Sequence, residues 1–222
     1  MMIRPIIKPI GPIMPVRPVP LPCIKVDVFS AIIAPLLLLA VFVLAVWLML
    51  KMNEDKFKGV NKLASLISAA GIGLILLVLF GSTLAAVKGM ILCMILMYAS
   101  ISDIWRREVP DYVWAMNAIL AFVGFDASNL PSMIVGALVV FVPQLAVSVM
   151  RPSRAIGGAD IKISTALAFL LGAEKGLCAM IIGLTAAVIT MLIVRKVKKT
   201  GKGEAFPLVP FLAAGAMAVF MI

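Results

Sequence analysis

The chain contains no histidine. A zinc peptidase of the H-E-x-x-H type needs two histidine ligands, and a Ser–His hydrolase needs an imidazole base. Both classes are therefore excluded. Cys23, Cys93 and Cys178 are isolated and form no C-x-x-C pair, so we expect small hydrophobic side chains rather than a metal or redox site. The sequence predicts no metal and no cofactor.

Charged residues are scarce as well. They make up 14% of the 222 residues, whereas hydrophobic residues make up 64%. A soluble domain carries about 25% charged residues, so too few polar side chains are present to cover a globule. The apolar residues cluster in runs close to the roughly 20 residues that cross a bilayer as a helix. We therefore expect a multi-pass protein whose main partner is the lipid bilayer of the cell membrane.

The predicted fold is an all-α, polytopic transmembrane helix bundle of about eight helices. They are predicted at 29–50, 63–84, 87–104, 112–125, 131–149, 156–172, 175–194 and 205–221. Residues 1–27 hold seven of the fourteen prolines, and this density forbids a continuous helix. This segment is expected to be a proline-rich strap along the membrane or a partner, or a disordered segment, and not a secretory signal peptide.

The basic residues occur mainly in alternate connections between the predicted helices. A net charge of +10 could suggest nucleic acid, but short loops do not form one basic face, so no nucleic-acid partner is expected. Basic loops stay in the cytoplasm, which predicts that the connections after helices one, three, five and seven are cytoplasmic. The four basic residues of the strap contradict this topology, which is assigned from the four basic loops instead.

Two of the ten acidic residues fall inside predicted membrane helices: Asp103 in the third and Asp160 in the sixth. An ionisable group in hydrocarbon costs at least ~2.5–3.5 kcal/mol and commonly marks a functional site. The third helix is predicted to end in the cytoplasm, and the sixth to begin there. Both carboxylates are therefore expected at the cytoplasmic edge of the bilayer.

Two carboxyl groups held close together share a proton, so that one activates a water molecule and the other protonates a carbonyl oxygen. Gly157 and Gly158 would let a backbone pass close to such a pair. Structural alternatives remain open for each feature. Asp160 could favour the first turn of its helix, Asp103 could pair with Arg106 or Arg107, and the glycines could serve tight helix packing.

At these residues the sequence resembles the prepilin peptidase family, and most closely its archaeal branch, which processes preflagellins and pilin-like precursors. The family's first motif is an aspartate at a helix end, then basic residues and a proline with Asn or Asp. The sequence has Asp103, Arg106, Arg107, Pro110 and Asp111 at these positions. The second motif, G-x-G-D with a lysine two positions later, is matched by Gly157, Asp160 and Lys162, with Ala159 in place of the second glycine. A looser third element is the proline-rich entry to the last helix, Pro207 to Phe211.

The resemblance implies a GxGD-type aspartyl endopeptidase with Asp103 and Asp160 as its catalytic pair and Lys162 favouring an ionised Asp160. Its substrate would be a type IV pilin-like or archaellin precursor, cut at the cytoplasmic face between a short basic leader and an apolar helix. The resemblance covers 85–222 as a six-helix catalytic core and leaves 28–84 as two additional transmembrane helices. The cysteine-bearing domain of many bacterial relatives is missing, so N-methylation of the product is not expected.

Two other classes of function remain open on the residues alone. A proton-coupled transporter could titrate Asp103 and Asp160 during alternating access, although such acids tend to lie near the midplane of the membrane. A non-catalytic assembly or scaffold protein is the other. Presenilin-like proteases also carry G-x-G-D, but they place a tyrosine before the first aspartate, whereas Ser102 precedes Asp103.

Overall fold

The computed structural model of the protein describes residues 32–57, 59–150, 157–198 and 206–222. Over these ranges the chain forms eight α-helices and no strand, which confirms the predicted helix bundle. The helices are α1 (Ala34–Met52), α2 (Lys62–Phe80), α3 (Leu84–Arg106), α4 (Tyr112–Leu120), α5 (Leu130–Met150), α6 (Gly158–Leu171), α7 (Ala173–Lys198) and α8 (Val209–Phe220). The predicted strap at 1–27 lies outside the described residues.

Five of these helices are long and apolar enough to cross a membrane: α1, α2, α3, α5 with the short helical turn before it, and α7. The other three, α4, α6 and α8, have 9, 14 and 12 residues. At 1.5 Å per residue they are shorter than a hydrocarbon core of about 30 Å. The prediction extended α4 to residue 125, but the helix ends at Leu120 and the chain turns at Gly124, whose φ of +66° suits glycine.

Local sequence signals account for several helix ends. The Asn61 side chain accepts the N–H of Ala64 at 3.2 Å and so caps the start of α2. Pro35 and Pro210 lie in the first turns of α1 and α8, where a missing N–H has no helical partner to lose. Gly172, at φ +83°, separates α6 from α7, and this left-handed region favours glycine. These helices therefore begin or end at residues whose side chains or backbone conformations suit a helix terminus.

The core forms around α3, which buries twelve of its residues and packs against α1, α2, α4 and α8. Small residues allow close helix contacts elsewhere. A Cβ added at Gly215 in α8 would lie 2.8 Å from the backbone nitrogen of Gly183 in α7, and one at Gly136 in α5 would lie 2.8 Å from the Ala168 carbonyl oxygen in α6. Such backbone-to-backbone packing is typical of membrane helices.

The two N-terminal helices form a layer on one side of α3. No Cα atom of α1 or α2 lies within 8 Å of a Cα atom of α4 to α8. The loop between α1 and α2 covers the C-terminal end of α3: Phe57 packs edge-on against Tyr98, with ring centroids 5.5 Å apart. A Cβ at Gly59 would lie 2.9 Å from the Trp105 ring. The first and second basic connections therefore share one end of the bundle, as predicted.

Candidate active site

Asp103 lies in the last turn of α3 and is buried, with 9% of its surface exposed. Its Oδ2 accepts a hydrogen bond from the backbone N–H of Val209 at 3.0 Å. Val209 is the first residue of α8, so the carboxylate faces the positive end of a helix macrodipole. Both the bond and the dipole stabilise a negative charge on Asp103.

The role of Val209 is a feature that sequence reasoning missed. The first N–H groups of a helix have no partner within the helix, and Pro210 has no N–H to offer. Val209 can therefore donate to a side chain from another helix. The proline-rich entry at Pro207–Phe211 was noticed as a looser motif, but nothing in the sequence indicated that its backbone would meet Asp103.

Asp160 is the third residue of α6 and is half-buried. A Cβ added at Gly157 would lie 3.0 Å from Asp160 Oδ2, whereas a Cβ at Gly158 would meet no atom within 4 Å. Gly157 has φ −54° and ψ 133°, which other residues also adopt. Gly157 therefore adopts no conformation that is reserved for glycine. Its missing side chain instead leaves room beside the carboxylate, and Gly158 serves no tight packing.

The structure brings Asp103 and Asp160 to the same end of the bundle. The contact between Lys162, two residues after Asp160, and Asp111, eight residues after Asp103, joins the two regions. However, no Cα atom of α3 lies within 8 Å of a Cα atom of α6, whereas α4 and α8 each contact both helices. A gap between α3 and α6, bordered by α4 and α8, therefore separates the helices that carry the two aspartates. That they share one depth at the cytoplasmic edge of the membrane stays a prediction.

Lys162 departs from the expected arrangement. Its Nζ lies 2.6 Å from Oδ1 of Asp111, at the start of α4, and forms an ion pair there. Residues two positions apart point to different sides of a helix, so the Lys162 side chain leaves α6 away from Asp160. The expectation that its charge favours an ionised Asp160 is corrected: Lys162 joins the second motif to the first.

The remaining residues of the first motif shape the connection from α3 to α4. Arg107 ends α3 in the left-handed conformation at φ 56°, and the buried Ser102 hydroxyl donates to the Glu108 carbonyl at 2.6 Å. The Pro110 carbonyl accepts the N–H of Val113 at 3.1 Å, as α4 begins. Arg106 and Arg107 are exposed, and within the described part of the chain neither forms an ion pair with Asp103. The alternative of a paired, structural Asp103 is therefore not supported.

A pair of tyrosines beside this connection was also missed. The hydroxyl of Tyr112 at the start of α4 donates to that of Tyr98 in α3, and their ring centroids are 5.9 Å apart. Because Phe57 covers the other side of Tyr98, the α1–α2 loop contacts α4 through this ring.

Comparison with known proteins points in the same direction. Residues 90–194 match the family model described as the Type IV leader peptidase family. This segment contains Asp103, Asp160 and the whole of both motifs, and it lies inside the predicted core at 85–222. No curated protein and no solved structure matches the chain. With five helices that can cross a membrane, the protein is a multi-pass membrane protein, and its residues 90–194 are similar to the Type IV leader peptidase family.

Proposed function

We propose that the protein removes the leader from type IV pilin-like or archaellin precursors at the cytoplasmic membrane face, with Asp103 and Asp160 as an aspartyl catalytic pair. The observation that carries this proposal is that Asp103 and Asp160 lie at the same end of the bundle, where the Lys162–Asp111 contact joins the start of α6 to the connection after α3. They come from distant parts of the chain, and each lies within three residues of a helix terminus.

Hydrolysis needs no further protein group. The ionised carboxylate takes a proton from water, and the water oxygen attacks the carbon of the scissile carbonyl. The protonated carboxyl gives its proton to the carbonyl oxygen, and a gem-diol forms without a covalent intermediate. The first carboxyl then protonates the leaving nitrogen, the C–N bond breaks, and the second carboxylate recovers a proton from the gem-diol.

The two aspartates are assigned different roles. The N–H of Val209 and the first turn of α8 stabilise a charged Asp103. We therefore assign the ionised state to Asp103, as the base that activates water, and the shared proton to Asp160. Gly157 leaves space at Asp160 Oδ2, where the carbonyl oxygen of a substrate would receive that proton.

The position of the pair suits a precursor whose cleavage site lies at a membrane edge. A short basic leader would remain in water while the following apolar helix enters the bilayer, which brings the junction to the ends of α3 and α6. The basic loops favour the cytoplasmic side for this end. The distinction between archaellin and pilin precursors, and the assignment to the archaeal branch, rest on the motif resemblance.

The transporter alternative receives less support from this placement. Transporter sites lie near the bilayer midplane, often in interrupted helices. Asp103 is three residues from the end of α3, and Asp160 is the third residue of α6. A non-catalytic scaffold would not require two carboxyl groups in membrane helices at the same end of the bundle.

The test is co-expression with a precursor that carries a basic leader, followed by gel separation of precursor and product. We expect Asp103→Asn and Asp160→Asn each to reduce leader removal by about 10²–10⁴-fold, the usual contribution of a general acid or base. Asp126→Asn is the matched control, because Asp126 is an exposed acid bonded only locally, to Ser128. It should process the precursor at the wild-type rate.

Membrane fractions should contain all three variants in equal amounts, so that loss of activity reflects chemistry rather than insertion. Full processing by either Asn variant would overturn the catalytic assignment. Proton-coupled transport by the wild-type protein that both Asn variants abolish, without any leader removal by the wild type, would favour the transporter instead.

A further inference from the structure

The Asp111–Lys162 ion pair is not explained by the needs of either helix. Asp111 is the N-cap residue of α4, yet its side chain makes no capping hydrogen bond, although aspartate is among the best N-cap residues. Its carboxylate instead reaches Lys162 Nζ, 51 positions along the chain, at 2.6 Å. Asp111 thus gives up a local bond for a distant one.

Lys162 is similarly placed against local preference. It is the fifth residue of α6, and a positive charge near a helix N-terminus opposes the macrodipole. Contact with Asp111 compensates this charge. Both members of the pair therefore serve the junction between α4 and α6 rather than their own helices.

This junction lies on the path that connects the two aspartates. Asp103 is followed by a connection that the Ser102–Glu108 hydrogen bond holds against α3. That connection ends at Asp111, whose ion pair leads to Lys162, two residues from Asp160. Because α3 and α6 do not approach each other directly, their separation at this end depends on such links through α4 and α8.

We infer that the Asp111–Lys162 ion pair is a positioning device that sets the separation of Asp103 and Asp160, an inference that rests on the proposed function. It ties the end of the Asp103 connection to the Asp160 helix. The two side chains are 77% and 50% exposed, so water and salt screen the pair, and it contributes little to overall stability. Its effect is expected on turnover, since a small displacement of catalytic groups slows a reaction strongly.

The test compares leader-removal kinetics of purified Asp111→Lys, Lys162→Asp and the doubly exchanged protein. Each single reversal places like charges together and should lower kcat by about tenfold, with KM changed less than about twofold. The double exchange restores an attractive pair and should return kcat to within about twofold of wild type. Asp111→Asn keeps an acceptor oxygen for Lys162 and should lose less than Asp111→Lys.

The chain offers a matched control in the Glu54–Lys62 ion pair. Its N–O distance is also 2.6 Å, its side chains are 61% and 45% exposed, and it lies at the same end of the bundle. Glu54→Lys, Lys62→Glu and their double exchange should leave kcat unchanged. Thermal unfolding in detergent should show equal stability for all seven variants, which separates displacement of the aspartates from unfolding.

Two results would overturn the positioning role. One is a kcat within about twofold of wild type in both single reversals. The other is a double exchange no more active than the worse single variant, which would mean that each residue acts independently. In either case an inactive Asp103→Asn protein would show that the peptidase assignment still holds, whereas an active one would remove the basis for both.

Discussion

The α1–α2 pair and the α3–α8 bundle differ in the kind of side chain that they bury between their helices. Where α1 and α2 meet, the contacting groups are apolar side chains such as Leu39 and Phe42, which lie against Gly73. The buried polar residues among those described, Ser102, Asp103, Asn117 and Ser164, all belong to α3, α4 and α6. In lipid, an apolar contact can be exchanged for a contact with acyl chains at little cost, whereas a polar group needs its specific partner. Tolerance should therefore be high in α1–α2 and low around the gap.

The largest expected contrast is between two buried glycines. A methyl group at Gly215 would lie 2.8 Å from the Gly183 backbone nitrogen, while one at Gly73 would meet only side-chain atoms of Leu39 and Phe42, at 2.9–3.1 Å. Side chains can rotate away, but packed backbones must separate. We expect Gly215→Ala to lower the free energy of unfolding by about 3 kcal/mol and Gly73→Ala by about 1 kcal/mol or less. Thermal unfolding in detergent measures both.

Equal losses at the two positions would break the comparison, because they would mean that α1–α2 packs as specifically as α7–α8. Gly71→Ala provides the baseline, since nothing lies within 4 Å of its added Cβ.

The helix count, the helix lengths and the side-chain contacts differ in how far they can be predicted from the sequence. Hydrophobic runs and basic loops were sufficient for the helix count and for bringing Asp103 and Asp160 to one end, because both follow from the thickness and charge asymmetry of a membrane. The lengths of α4, α6 and α8 could not be predicted in this way, because an apolar run continues through turns such as that at Gly124. Hydropathy does not register the backbone dihedral that ends a helix.

Side-chain partners were the hardest to predict. Lys162 was assigned to Asp160 because the two are neighbours in sequence, yet helical geometry directs it to Asp111. The hydrogen bond from the Val209 N–H to Asp103 could not be predicted for another reason. Every residue except proline carries such a donor, so only the fold determines which one meets Asp103.

A second, smaller contrast compares two serine hydroxyls. Ser102 is buried and donates to the Glu108 carbonyl at 2.6 Å, and Ser68 in α2 is exposed and donates to the Ser65 carbonyl at 2.9 Å. Ser102→Ala should cost about 1–1.5 kcal/mol, the typical value of a net hydrogen bond, and should slow leader removal because the connection after Asp103 loosens. Ser68→Ala should change neither quantity. A stable, fully active Ser102→Ala protein would show that the Asp103 connection is held by other contacts.

The smallest expected effect concerns Gly157 and sharpens the comparison within the site itself. A methyl group there would lie 3.0 Å from Asp160 Oδ2, so the carboxylate oxygen must move by a few tenths of an ångström. A displaced rotamer costs about 0.5–1.5 kcal/mol, which corresponds to about a 2–10-fold slower cleavage if the displaced oxygen is the one that protonates the substrate. Gly158→Ala, whose Cβ meets no atom within 4 Å, should cleave at the wild-type rate.

The kcat ratio of these two variants isolates the space beside Asp160, because they share the same added methyl group, the same loop and the same helix start. A slower Gly158→Ala protein with an unaffected Gly157→Ala protein would place the substrate on the other side of the α6 terminus, and so reverse the orientation assigned to the carboxyl group.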